Sequence, residues 1–321
     1  MTRKYLDFEK PIEQLDLRVE ELKLASPEGA VLYAAELRRI ERKTDDLIKH
    51  IYANLTPWQI TQTARHPGRP YTLDYTQRVF DEFVELHGDR LYKDDPAIVG
   101  GLGRIDNTPV VFIGHQKGRN TKERVFRNYG MPHPEGYRKA LRLMELAERF
   151  KRPVVTFIDT PGAAPDIEAE ERGQAEAIAR NLLTMARLRV PIVSVVIGEG
   201  GSGGALAIAV ADRILMLEYS TYSVISPEGC AAILWKDGTK APLAAKALKM
   251  NSKELLGKGI VDGIVKEPLG GAHRDYDAAA RTLKDAILNA LNDLSGYPPD
   301  KLVSLRYEKF RKMGVFRERY S

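Results

Sequence analysis

The stretch that decides the fold is Ile192-Val193-Ser194-Val195-Val196-Ile197-Gly198-Glu199-Gly200-Gly201-Ser202-Gly203-Gly204-Ala205. Its first six residues are almost all apolar and rich in β-branched side chains, which predicts a fully buried strand. Five glycines follow between Gly198 and Gly204, and this density ends the strand in a turn. We therefore predict a strand, a glycine turn and a buried helix in succession.

A second unit of the same kind lies earlier in the chain. Residues 154–159 are again apolar and follow a proline, and they lead into the turn Thr160-Pro161-Gly162-Ala163 and then a helix. The carboxyl ends of neighbouring parallel strands meet at one edge of a sheet, so the two units would bring their turns together. The sequence thus predicts two glycine turns, each at the start of a helix, near one point in space.

The surrounding chain alternates strand and helix patterns. Residues 98–105 and 110–113 are typical of a hairpin, 136–150 and 169–188 of amphipathic helices, and 276–294 of a longer helix. Apolar strands without polar alternation indicate a parallel or mixed sheet with helices on its faces. The predicted fold class is therefore α/β.

The pattern divides the chain into three parts. Residues 1–60 predict an N-terminal helical arm, with helices on either side of a loop around Pro27. Residues 61–296 hold the alternating strands and helices and form the core. Residues 297–321 are polar and predict a C-terminal tail.

Composition limits the class of protein. The chain has 321 residues, 43% hydrophobic and 29% charged, which suits a soluble globular protein with a sizeable core. The single cysteine, Cys230, excludes an internal disulfide and a zinc site built on several cysteines, so we expect no metal in this chain and a cytoplasmic location. Residues 190–211 carry only Glu199 as a charge, but their glycines argue against a membrane span.

The two turns offer a specific chemistry. Backbone N–H groups at a helix N-terminus have no partner within the helix, and glycine leaves them open to a ligand atom. Two converging turns would make an oxyanion hole for an enolate, a tetrahedral oxyanion or a ureido oxygen. The alternative is that the glycines serve only tight packing between strand and helix.

Two other functions are compatible with local patterns. Ser202 is the centre of a Gly-x-Ser-x-Gly segment, the pattern of a serine hydrolase or peptidase, and His273 is the one histidine that follows it as a possible base. The segment from Lys117 to Arg127 contains five cationic residues and only one acidic residue, Glu123. Such a segment would suit a phosphate-bearing ligand or a non-catalytic nucleic-acid-binding module.

Several segments together resemble one known family, the carboxyltransferase α subunit of bacterial-type acetyl-CoA carboxylase. The segments that carry this resemblance are Gly114-His115-Gln116-Lys117-Gly118-Arg119, Phe157-Ile158-Asp159-Thr160-Pro161-Gly162-Ala163, Glu170-Glu171-Arg172-Gly173-Gln174, Tyr219-Ser220-Thr221-Tyr222-Ser223-Val224-Ile225-Ser226-Pro227-Glu228-Gly229-Cys230 and Glu267-Pro268-Leu269-Gly270-Gly271-Ala272-His273. The stretch quoted at the outset belongs to the same set. The likeness covers nearly the whole chain.

The resemblance implies a crotonase-like (ClpP/crotonase) fold of repeated ββα units, with an N-terminal helical arm and C-terminal helices. It implies an α2β2 assembly with a β subunit of the same fold that carries a zinc ribbon. In such enzymes carboxybiotin on the biotin carboxyl carrier protein, loaded by biotin carboxylase, delivers its carboxyl group to acetyl-CoA. The product is malonyl-CoA, the first committed intermediate of fatty acid synthesis. Biotin, which is not attached to this chain, is itself thought to accept the methyl proton.

The resemblance also implies roles for particular residues. The amides of Gly203 and Gly204 would form the oxyanion hole for the biotin ureido oxygen. Further substrate-binding positions are predicted at the other turn, in the glycine stretch and in the basic segment; they are Gly162, Ala163, Gly200, Gly201, Lys117 and Arg119. Ser202 becomes a small turn residue without a nucleophilic role.

The chain departs from the family pattern at one place. After Ala163 the family usually has an aromatic residue, proline and glycine, whereas Ala164, Pro165 and Asp166 follow here. We expect this change to affect the loop beside the biotin pocket and to leave the oxyanion turn itself unaltered.

Overall fold

A computed structural model describes residues 4–24 and 34–315. The predicted loop around Pro27 lies outside the described residues. In chain order the helices are α1 (Lys10–Leu24), α2 (Ala34–Ala53), α3 (Pro57–Ala64), α4 (Thr72–Val79), α5 (Thr121–Phe126), α6 (Pro134–Arg149), α7 (Ile167–Glu171), α8 (Gln174–Arg187), α9 (Ser202–Leu206), α10 (Pro227–Trp235), α11 (Ala241–Leu248), α12 (Ser252–Gly257), α13 (Tyr276–Ser295) and α14 (Pro299–Arg311).

The described strands form one mixed sheet. They are β1 (Glu82–Glu85), β2 (Ile98–Ile105), β3 (Thr108–His115), β4 (Val154–Thr160), β5 (Ile192–Gly201), β6 (Arg213–Leu217), β7 (Thr221–Ser223) and β8 (Gly263–Val265). The order is β1-β2-β3-β4-β5-β6-β8, with β7 paired to the end of β5. Strands β1 to β3 are antiparallel and all later pairings are parallel.

Helices cover both faces of this sheet. On one face α13 and α4 pack through Leu283, Ile287 and Tyr75 against side chains such as Phe112 and Phe157. On the other face α6, α8 and the segment after α9 pack on alternate residues of the same strands. Every residue of β4 is buried, as the absence of polar alternation in its sequence predicts. This layered arrangement confirms the predicted α/β class.

Most of the predicted elements are present, and one helix is divided. The hairpin is confirmed, with Ile105 opposite Thr108 and the chain reversing at Asp106 and Asn107. The single helix expected over 169–188 is instead α7 and α8. Gly173 separates them because it adopts a left-handed backbone conformation, φ +82°, which glycine takes readily.

The C-terminal region contains more regular structure than its polar sequence indicates. Residues 299–311 form α14, and the side chain of Arg306 in this helix is buried. The Arg306 guanidinium pairs with Asp212 at 2.7 Å and also donates to the backbone oxygens of Met185, Leu188 and Val190. The boundaries at 60 and 296 stay predictions, but this helix is packed on the core.

The N-terminal arm is fixed to the core by polar contacts. Within the arm, the buried Glu9 accepts hydrogen bonds from the Tyr52 hydroxyl at 2.7 Å and from the Leu6 amide at 2.8 Å, and its carboxylate lies 3.7 Å from the His273 ring of the core. The His66 ring stacks on the His273 ring with centroids 3.9 Å apart, and its Nε2 contacts the Lys4 carbonyl at 3.1 Å. Among the residues described, no helix has the length and apolar character needed to span a bilayer.

Candidate active site

The two predicted turns follow adjacent parallel strands. Strands β4 and β5 pair along their length, and Thr160 at the end of β4 lies opposite Gly200 near the end of β5. The chain leaves β4 through Pro161, Gly162 and Ala163, and it leaves β5 directly into α9, which begins at Ser202. The turns therefore meet at the carboxyl edge of the sheet, where α/β folds bind their ligands.

The contact between the turns requires glycine. A Cβ atom at Gly204 would lie 2.4 Å from the Gly162 carbonyl carbon and 2.5 Å from the Ala163 nitrogen. At Gly201 it would lie 2.1 Å from the carbonyl oxygen of Pro161. A real Cβ does not approach backbone atoms this closely, so the absence of side chains lets the two backbones touch. At Gly203, by contrast, a Cβ would make only an ordinary contact, 3.7 Å from the Ile178 side chain.

Three backbone amides at this junction have no acceptor within the described part of the chain. Within residues 4–24 and 34–315, the amides of Ala163, Gly203 and Gly204 have no hydrogen-bond acceptor. The amide of Gly162 differs because it donates to the Thr160 hydroxyl at 3.1 Å. Gly203 and Gly204 lie in the first turn of α9, where amides have no partner within the helix. Such unshielded donors can stabilise a negatively polarised oxygen.

The other glycines named from the sequence belong to the strand that carries the turn. A Cβ at Gly200 would lie 2.8 Å from the Tyr222 ring, in the neighbouring strand β7. Gly201 packs on the other side against Pro161, as described above. Both positions hold the end of β5 close to its neighbours, and their binding role remains a prediction.

Ser202 lies at the entrance to α9, without a histidine base beside it. Its side chain is exposed, and its backbone has φ +53°, a conformation that non-glycine residues rarely adopt. His273 has a side chain only 2% exposed and sits against Glu9 and His66 of the N-terminal part of the chain. These contacts hold the His273 ring against the N-terminal part of the chain. The geometry thus gives the hydrolase alternative no support.

Lys117 and Arg119 are held by protein groups. The Lys117 ammonium lies 2.8 Å from Asp159 and 2.7 Å from Glu199, and its side chain is 13% exposed. Arg119 pairs with Asp74, donates to the carbonyls of Pro67 and Arg69 at 2.9 Å, and stacks over the Tyr71 ring. These contacts tie Arg119 to α4 and to the segment between α3 and α4. A role of either residue in binding substrate phosphates remains a prediction without support from their surroundings.

The sequence did not single out Asp159 and Arg65 as site residues. Arg65 lies 2.7 Å from Glu199 and 2.7 Å from Glu228. The Glu199 carboxylate therefore lies between two cations, Arg65 and Lys117, beside a cavity of about 210 Å³. Burial alone would raise the pKa of Glu199, but Lys117 and Arg65 lower it to about 2. The available signal was that Asp159 and Glu199 are lone acids at the ends of apolar strands, where a charge needs a partner.

The loop that departs from the family pattern is well anchored. Asp166 accepts a hydrogen bond from the Ala169 amide at 2.9 Å as the N-cap of α7, and its other oxygen contacts His133 at 3.0 Å. Ala164 is buried and donates its amide to the Pro132 carbonyl. An acidic cap therefore fixes this loop where the family usually has glycine.

A second cavity borders the turn on its apolar side. It has a volume of about 370 Å³ and includes Ser202, Gly203 and Leu206 in its wall. Phe310 and Met313, from the C-terminal end of α14 and the residues just after it, close another side. The region predicted as a polar tail thus reaches the candidate site.

The fold is that of crotonase-like carboxyltransferases. The structure is similar to transcarboxylase 12S, with a TM-score of 0.58 and 17% identity over 72% of this chain and 44% of that one. It is equally similar to a chain of a Pseudomonas malonate decarboxylase hetero-tetramer solved with coenzyme A, at 19% identity over 73% of this chain and 91% of that one.

Sequence comparison then gives the family. Residues 5–314 match the family described as acetyl co-enzyme A carboxylase carboxyltransferase-like. The acetyl-coenzyme A carboxylase carboxyl transferase subunit alpha of Thiobacillus denitrificans is 57% identical over 318 residues, 99% of each chain. The subunit of the same name from Xanthomonas campestris is 60% identical over 316 residues, 98% of this chain and 99% of that one. The chain belongs to this carboxyltransferase family, as its motifs predicted.

Proposed function

We propose that this chain is the α-type half of an acetyl-CoA carboxylase carboxyltransferase. It would act with a β subunit that carries a zinc ribbon, in an α2β2 assembly, to move a carboxyl group from carboxybiotin on the biotin carboxyl carrier protein to acetyl-CoA. Malonyl-CoA would be the product. Family membership along almost the entire chain supports this activity, and the names of the relatives, each a subunit, support the need for a partner.

The observation that carries the mechanism is the open set of amides where the two turns meet. Ala163, Gly203 and Gly204 offer N–H donors without acceptors in the described part of the chain, and the glycine at 204 lets the second turn approach the first. A ureido oxygen is an acceptor that these donors fit. We assign the amides of Gly203 and Gly204, together with that of Ala163, to holding this oxygen as negative charge develops on it.

This chain would supply binding and electrostatics rather than proton transfer. Carboxybiotin would bring the carboxyl group and, on the biotin ring, the proton acceptor that the reaction needs. The side chains of His115 and His273, two histidines within the family motifs, are both buried, which agrees with a site that uses neither as a base. The backbone N–H donors would hold the ureido oxygen in place, and they need no rearrangement during the reaction.

The proposal is tested by replacing the glycine that permits the contact. The chain, assembled with its β partner, is assayed for malonyl-CoA formation from acetyl-CoA and a carboxylated biotin derivative. Because a Cβ at Gly204 would displace the Ala163 amide, Gly204→Ala should lower kcat by about 100-fold or more, which is the usual cost of a lost oxyanion donor.

A matched glycine provides the control. In the described part of the chain, no atom beyond the neighbouring residues and the helix's own backbone would lie within 4 Å of a Cβ at Gly257, which ends α12, so Gly257→Ala should leave kcat unchanged. Failure of the wild-type assembly to make malonyl-CoA would contradict the proposed activity. Equal activity of the Gly204 and Gly257 variants would contradict the assignment of the amides.

A further inference from the structure

An ion cluster ties together the carboxyl ends of three neighbouring strands. Lys117 follows β3 by two residues, Asp159 is the penultimate residue of β4, and Glu199 lies near the end of β5. The Lys117 ammonium bridges the two acids, at 2.8 Å from Asp159 and 2.7 Å from Glu199. The side chains are 13%, 2% and 13% exposed. One buried cation therefore links the strands that carry the two turns.

The cluster lies where the backbone ladder between β4 and β5 is irregular. Ile158 pairs with Val196, but Thr160 pairs with Gly200, so β4 advances by two residues while β5 advances by four. Regular strand pairing cannot fix the relative position of the strands across such a bulge. Instead, the Asp159 carboxylate accepts a hydrogen bond of 3.0 Å from the Glu199 amide, and the Lys117 ammonium forms ion pairs with both carboxylates.

The neighbouring backbone is shaped around this cluster. A Cβ at Gly198 would lie 2.3 Å from a carboxylate oxygen of Asp159, and a Cβ at Gly130 would lie 2.7 Å from the Lys117 side chain. Gly130 has φ +77°, which favours glycine there for a second reason. The chain therefore leaves room for these charged side chains on two sides.

We propose that Lys117 is a positioning residue for the carboxyltransferase site, which fixes how far the turn after β4 stands from the turn after β5. This inference rests on the proposed function. Asp159 directly precedes the turn that bears Ala163, and Glu199 directly precedes the glycines that lead to Gly203 and Gly204. Holding both acids on one ammonium sets the separation of the open amides, and oxyanion donors act only within a narrow range of distances.

The same contacts argue against a direct role of Lys117 in binding substrate. Its ammonium already has two carboxylate partners, and both are fixed by further contacts. Arg65, which directly follows α3, also pairs with Glu199 at 2.7 Å, and the Glu199 amide donates a hydrogen bond to Asp159. Together these groups make Lys117 the centre of a closed charge network, so its removal would act through the turns.

Steady-state kinetics of the assembled enzyme test the proposal. Lys117→Gln should lower kcat by about 100-fold, the usual effect of misplacing a reacting group by about 1 Å. The KM values for acetyl-CoA and for the biotin derivative should change by less than about threefold, since the loss would occur in the transition state. Lys301→Gln, the same change at an exposed lysine of α14, should leave both parameters as in the wild type.

Double substitution separates positioning from general damage. If Lys117 acts through Glu199, Glu199→Gln should also lower kcat, and the Lys117→Gln and Glu199→Gln double variant should lose little more than the worse single variant. Lys117→Arg, which keeps the charge, should recover part of kcat. If Lys117→Gln does not assemble, Glu199→Gln keeps the side-chain shape and must show the same fall in kcat with unchanged KM.

Two results would overturn the positioning role. One is a Lys117→Gln enzyme with kcat within about twofold of wild type, and the other is a loss that appears only as a raised KM, which is the effect of a lost substrate contact. Either result leaves the proposed function intact if the wild-type assembly forms malonyl-CoA. Absence of malonyl-CoA in the wild type would instead contradict the proposed function.

Discussion

The residue that begins α9 is unusual for its backbone. Ser202 has φ +53°, whereas left-handed backbone costs a non-glycine residue about 1–2 kcal/mol. Ser202→Gly should relieve this strain and raise the free energy of unfolding by about 0.5–1 kcal/mol, because part of the gain is offset by the greater chain entropy of glycine. Urea unfolding of the purified chain measures this difference. No change, or a loss of stability, would show that the conformation carries no strain.

The side chain of the same residue decides between two chemistries. If Ser202 is a small turn residue, Ser202→Ala keeps the amides of Gly203 and Gly204 in place, and carboxyl transfer by the assembled enzyme should stay within about threefold of wild type. A nucleophilic serine would behave differently, since its removal costs several orders of magnitude. Loss of carboxyl transfer to background in Ser202→Ala would therefore contradict the role of Ser202 as a small turn residue.

At the scale of elements, α14 depends on one buried ion pair. The Arg306 guanidinium pairs with Asp212 and donates hydrogen bonds to three backbone oxygens. The side chains of Arg306 and Asp212 are 0% and 3% exposed, respectively. Arg306→Met would leave Asp212 buried without its cation, which typically destabilises a protein by about 3–5 kcal/mol. We expect that loss in urea unfolding.

A surface pair of the same chemistry is the control. Arg189 and Asp300 pair at 2.6 Å, but their side chains are 54% and 81% exposed, so Arg189→Met should cost less than about 1 kcal/mol. Similar losses for the two variants would mean that α14 is not anchored through Arg306.

The elements that the sequence predicts correctly are those with a strong local pattern. Strands β4 and β5 are continuous apolar runs, and α13 has regular helical spacing, so each was found within a few residues. The helix α14 was missed because its buried surface includes Arg306, whose burial depends on Asp212, 94 residues away. The division of the helix at Gly173 was missed because nothing local distinguishes a left-handed glycine from a helical one.

The same division applies to the site. The turns could be predicted because strand, glycines and helix are consecutive in the chain. The ion cluster could not, because Lys117, Asp159 and Glu199 come from three separate strands and meet only in the folded sheet. The partners of the basic segment could not be predicted for a similar reason, since a run of cations in sequence does not show that Arg119 pairs with Asp74.

For the whole molecule, attachment of the N-terminal arm should depend on pH. Burial and the neighbouring His273 lower the pKa of His66 from 6.5 to about 4, although Glu9 and the Lys4 carbonyl oppose this shift. Below pH 6.5, His66 is therefore protonated in the unfolded chain, whereas in the folded chain it stays neutral until about pH 4. The contribution of His66 to the free energy of unfolding is therefore complete above pH 6.5 and is lost as the pH falls from 6.5 to about 4.

This prediction can be measured by urea unfolding at pH 7 and pH 4.5. Between these values His66 should contribute a loss of about 2 kcal/mol to the wild type. His66→Gln, which cannot take up the proton but can still donate to the Lys4 carbonyl, should lose correspondingly less over the same interval. Equal losses in the two proteins would contradict a neutral, buried His66.

The most direct test of the whole account is whether this chain holds only part of an active site. The purified chain is titrated with the β subunit, and malonyl-CoA formation from acetyl-CoA and a carboxylated biotin derivative is measured at each ratio. The account predicts only background activity for the chain alone, and a linear rise that ends at one β subunit per chain. Full activity of the chain alone would contradict it.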